Sequence, residues 1–76
     1  MEAREAVLAV LREETEPLHW TKIQDLALRR GYLDPFEMRN VRKAVLGALS
    51  ALERDGLVRS TQRGVYEPRP VPPPDG

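Results

Sequence analysis

Pro17, Gly31 and Gly56 confine any helix in this chain to a short segment, and each segment carries an apolar stripe at helical spacing. In residues 2–14, Ala3, Ala6, Val7, Val10 and Leu11 share one face, with Arg, Glu and Ala opposite. Pro17 ends this segment, because the residue before a proline is pushed out of the helical region. The second segment places Ile23, Leu26, Ala27 and Arg30 on one side. Thr21 and Gln24 match a capping box at its start, and Gly31 supplies a left-handed stop. Val41, Ala44, Val45, Ala48, Leu49 and Leu52 form a third stripe, which Gly56 closes. Three such stripes, with Leu18 and Trp20, make one small core.

The start of the third helix is less simple. Asp34-Pro35-Phe36-Glu37 is a start signal, with Asp at the cap and Pro at the first helical position. Phe36 is nevertheless out of phase with the stripe, which predicts a separate short turn over residues 35–39 and a main helix from near Asn40. The alternative is one unbroken helix of about 20 residues, longer than the usual ~11–12. Leu18-His19-Trp20 has room only for a bridging strand or an extended turn. Leu57–Ser60 and Gly64–Glu67 flank Thr61-Gln62-Arg63 as a hairpin. A lone hairpin is unstable, so Leu57, Val65 and Tyr66 are expected to anchor it on the helices. Residues 68–76 hold five prolines and little to bury, and are expected to be disordered.

The expected fold is therefore mainly α with a small β wing: a winged helix-turn-helix over residues 1–67, with three helices, a tight turn before the third and a two-stranded hairpin. Residues 68–76 would be a tail. At 76 residues the chain is one domain, near the lower limit for folding unaided. It has no cysteine, so disulfides and thiolate metal sites are excluded. No apolar run approaches the ~18 residues of a membrane span, and Met1 leads into charged residues rather than a signal peptide. A cytoplasmic protein without a membrane partner is expected.

Catalysis is not expected. There is one histidine, no glycine-rich phosphate loop and no carboxylate pair with a pocket around it. Ser50 has no base within reach in the sequence. A metal site lacks partner ligands for His19, and no cofactor is implied. Trp20 is read as the largest buried anchor of the core, and His19 as a cap or a bridge to the wing.

Ala6-Val7-Leu8-Ala9-Val10-Leu11, then Pro17-Leu18-His19-Trp20 with Ile23, Ala27 and Gly31, then Val45, Ala48-Leu49 and Gly64-Val65-Tyr66 resemble the HARE-HTH family of winged helices. The resemblance spans residues 5–67, and Pro-Leu-His-Trp ahead of a helix is its most distinctive piece. It implies a role in transcription or chromatin, in contact with DNA or the machinery on it. Such domains are usually fused to others, and these 76 residues carry no catalytic or acidic companion domain.

Twelve basic and twelve acidic side chains cancel, which argues mildly against non-specific nucleic-acid binding. Their distribution is uneven. Residues 1–16 hold Glu2, Glu5, Glu13, Glu14 and Glu16 against Arg4 and Arg12, a net of −3. Met38–Leu52 holds Arg39, Arg42 and Lys43 and no acid. Arg39, Asn40, Lys43, Gly47, Ser50 and Arg54 lie opposite the third apolar stripe at 3.6 residues per turn, with Arg42 on the flank. Arg and Asn suit guanine and adenine edges, and Gly47 admits a close approach. Arg59 and Arg63 on the wing, and Lys22 at the start of the second helix, are candidate phosphate contacts.

The expected function is a DNA-binding module in transcription regulation, with double-stranded DNA as partner and the third helix in the major groove. The alternative is a protein-docking module, for example on RNA polymerase or another nucleoprotein complex, using the acidic first helix. Leu8, Leu28 and Leu46 lie off the core stripes and would mark a dimer or partner surface if two of them adjoined.

Overall fold

The computed structural model describes residues 1–69. It contains three helices, α1 (Ala3–Glu14), α2 (Trp20–Arg29) and α3 (Val41–Arg54). Three strands accompany them: β1 (Leu18–His19), β2 (Val58–Gln62) and β3 (Val65–Pro68). The fold is mainly α with a small β part. α1 packs against α2, α3 and β3, and α3 also against β2. Ala6, Val7, Val10, Leu11, Ile23, Ala27, Val45, Ala48, Leu49 and Leu52 are buried, so the three helical stripes meet as their spacing requires.

The helix ends show how the breakers act. Thr15 takes the left-handed conformation at φ 59° and donates to the Leu11 carbonyl, which closes α1 ahead of Pro17. Both α2 and α3 end in the same motif. Gly31 and Gly56 adopt φ 73° and 77°, a backbone that only glycine takes without cost. Tyr32 N–H then reaches the Ala27 carbonyl, and Leu57 N–H the Leu52 carbonyl, at 2.9 Å each. The turn after Gly31 delivers Leu33 into the core, where it is 2 % exposed. No periodicity pointed to Leu33, because it belongs to no helix.

The α2–α3 connection runs from Arg30 to Asn40 and is not a tight turn. Asp34 heads a closed turn within it: its Oδ1 accepts from Phe36 N–H, and its carbonyl from Glu37 and Met38 N–H. No helix follows, so the start signal at Asp34 makes a turn and α3 begins at Val41. Asn40 is its N-cap, accepting from Lys43 N–H at 3.0 Å. Asn40→Ala is therefore expected to cost about 1 kcal/mol of stability, measurable as a lowered urea midpoint with an unchanged slope.

The capping box at Thr21 does not form. α2 starts two residues earlier, at Trp20, and His19 caps it, Nδ1 accepting from Thr21 N–H. The Gln24 Oε1 has no partner, whereas a capping box would turn that side chain back to the cap.

The sheet has three strands rather than two, in the order β1-β3-β2, all antiparallel. Leu18 and His19 pair with Tyr66 and Val65 and cover one edge of the hairpin. Pro17 and the α2 cap fix these two residues as extended, so their backbone groups are available for pairing. The hairpin itself is longer than its β-prone runs suggested. Thr61 and Gln62 belong to β2, with a bulge between Ser60 and Gln62, and the turn narrows to Arg63-Gly64. Val58 is the buried anchor, while Leu57, Val65 and Tyr66 are half-buried. Pairing also extends past Glu67: Pro68 opposes Val58, and Arg69 N–H donates to the Leu57 carbonyl. Pro68 thus belongs to β3 and Arg69 is tied to the residue before β2; the rest of the expected tail, 70–76, lies outside the described residues.

Candidate functional site

The outer face of α3 follows from its inner one. With Val45, Ala48, Leu49 and Leu52 buried, the 3.6-residue period turns Lys43, Gly47, Ser50 and Arg54 outward, and all four are exposed. A shallow open groove of about 470 Å³ lies along this face, lined by Asn40, Arg42, Lys43, Leu46, Gly47 and Ser50. A Cβ on Gly47 would meet nothing within 4 Å, so the gap is open rather than filled by a neighbour.

Not every candidate base-reading residue lies on the helix. α3 begins at Val41, so Arg39 is in the preceding bend and Asn40 at the cap. The Asn40 side-chain oxygen is occupied by Lys43 N–H, which leaves its amide to point elsewhere. An unbroken third helix would have released both side chains; the Asp34 turn prevents that.

Arg42 is held rather than loose. Its guanidinium lies 5.4 Å from the centroid of the Trp20 ring, within cation–π range. Trp20 is not the buried centre of the core. It is half-buried, because α2 begins at this residue and sets the indole at the rim, beside the hairpin turn and the start of α3. His19 lies beside it, with ring centroids 5.7 Å apart. His19 both caps α2 and abuts the hairpin turn at Gly64.

Ion pairing sorts the remaining charges. Arg4 pairs with Asp55, Arg29 with Asp25, Arg30 with Glu13 and Glu14, and Arg59 with Glu67. Glu13 also accepts from the Tyr32 hydroxyl at 2.5 Å. That bond, followed by burial and the negative carboxylate, raises the Tyr32 phenol above its ordinary range, and the Glu14 hydrogen bond raises the Arg30 guanidinium. The acidic end of α1 is thereby engaged by α2 and the loop behind it. Among the described residues, Lys22, Arg39, Arg42, Lys43, Arg54 and Arg63 make no ion pair, and neither do Arg12 on α1 and Arg69. Of the candidate contacts, Arg59 alone is neutralised, since the strand register sets it opposite Glu67.

Leu8 and Leu28 are half-buried and pack against the core, whereas Leu46 lines the α3 groove. Phe36, which the sequence marked only as out of phase, is 97 % exposed. No group of His, Asp or Glu among the described residues is placed to hold a metal ion, and no helix there is long and apolar enough to cross a membrane. The chain matches no family model, no curated protein and no solved structure in the comparisons made.

Proposed function

We propose that this chain is a winged-helix module of the HARE-HTH type that binds double-stranded DNA in transcription regulation. α3 enters the major groove, and the β2–β3 hairpin lies along the phosphate backbone. One observation carries the reading: among the described residues, the bases on and around the outer face of α3 have no carboxylate partner and lie beside an open groove. Formal neutrality is therefore compatible with a locally positive surface. Arg42, Lys43 and Arg54 supply that charge from α3, Arg39 from the bend, Lys22 from the start of α2 and Arg63 from the wing tip. Ser50 adds a hydroxyl donor and Gly47 a close approach. Arg59 contributes less than its position suggests, because Glu67 holds it.

Titration of random-sequence duplex at two salt concentrations tests the reading. Lys43→Ala is expected to flatten the salt dependence by about one unit of log–log slope and to weaken binding at every sequence. Arg59→Ala should change affinity less than Lys43→Ala. Duplex binding that is absent at low salt, or indifferent to Lys43, overturns the proposal. Docking through the acidic first helix would have to use Glu2, Glu5 and Glu16, since Glu13 and Glu14 already have internal partners. Protein contact keeps one observation on its side, the exposed ring of Phe36.

A further inference from the structure

Phe36 is fixed where it is by the backbone. Its N–H is held by the Asp34 carboxylate, and Glu37 and Met38 N–H close the turn onto the Asp34 carbonyl at 3.1 and 3.2 Å. The ring is 97 % exposed, so it occupies no site among the described residues. Single exposed apolar residues are common, but this one stands between two exposed carboxylates on a closed turn. Asp34 and Glu37 flank it, both exposed and without ion-pair partners among the described residues. The two carboxylates would be repelled by a phosphate backbone, and a ring between them suits an apolar recess with a basic rim.

This chain carries a recess of that kind. The α3 groove offers Leu46 and the gap over Gly47 as its apolar part, with Arg42 and Lys43 at its rim. We propose that the occupant of the groove is Phe36 of a second copy, in a two-fold symmetric dimer. Phe36 and the edge of the groove at Asn40 lie four residues apart in sequence. A two-fold axis between ring and groove brings each ring to the other chain's groove at once, since an isologous interface pairs i with j and j with i. Asp34 and Glu37 of each copy then face Arg42 and Lys43 of the other. The dimer covers the face of α3 to which DNA binding is assigned above, so self-association and duplex binding exclude one another. The dimer itself does not depend on that assignment.

Sedimentation equilibrium on the full chain at low salt tests this. So small an interface predicts a weak dimer, with Kd on the order of 100 μM. Phe36→Ala removes a contact made twice and should weaken the dimer by about 100-fold. The fold should survive, because the side chain is in solvent. Gly47→Leu fills the gap while favouring the helix, and should also give monomers. Lys43→Glu and Glu37→Lys should each be monomeric alone but associate when mixed, since only the mixed pair restores opposite charges at both contacts. Excess duplex should dissociate the wild-type dimer. A chain that stays monomeric to about 1 mM, a dimer indifferent to Phe36→Ala or Gly47→Leu, or charge variants that fail to associate on mixing would each overturn the dimer. If duplex does not bind at all while the other results hold, the dimer stands and the DNA reading falls.

Discussion

Leu33→Ala is expected to destabilise the protein by about 2–5 kcal/mol, the range for truncating a fully buried leucine. Leu33 is 2 % exposed although it lies in the loop between α2 and α3, and its removal leaves a cavity where the helices meet. Trp20→Ala should cost less, roughly 1–3 kcal/mol, because the half-buried indole lies below the ~3–5 kcal/mol of a fully buried one. Residue size alone would rank the two the other way. Urea unfolding of both variants decides it: a Trp20→Ala loss exceeding that of Leu33→Ala would return the tryptophan to the centre of the core.

The second large effect is expected at the hairpin turn. Gly64 adopts φ 79°, its carbonyl accepts from Trp20 N–H at 2.9 Å, and a Cβ there would lie 2.9 Å from His19 Nε2. Gly64→Ala thus combines about 1–2 kcal/mol for a left-handed alanine with overpacking of typically 1–3 kcal/mol. Gly31→Ala is the matched control, since φ is 73° there but a Cβ meets nothing within 4 Å. Thermal unfolding should show Gly64→Ala losing clearly more than Gly31→Ala, and the emission of Trp20 should shift in the first variant only. Equal losses would mean that the His19 ring yields freely and that the turn is not locked against β1.

Three helices and a hairpin are legible in the sequence because their causes are local. Helical stripes, proline and left-handed glycine act within a few residues, and the burial of Val7, Leu11, Ile23, Leu49 and Leu52 follows from spacing. The outward position of Lys43, Gly47, Ser50 and Arg54 follows from the same period read on the other side. What tertiary structure alone decided rests on partners far apart in the chain. β1 became a strand because β3, nearly fifty residues on, presented an open edge. Leu33 was buried in a core built from helices it does not belong to. Trp20, at the rim where α2 begins, met the hairpin turn and Arg42 there, and Arg59 lost its free charge to a register that set Glu67 opposite. Local periodicity fixes which way a side chain leaves its own element, but whether it meets solvent, a ring or an opposite charge depends on the element packed across from it.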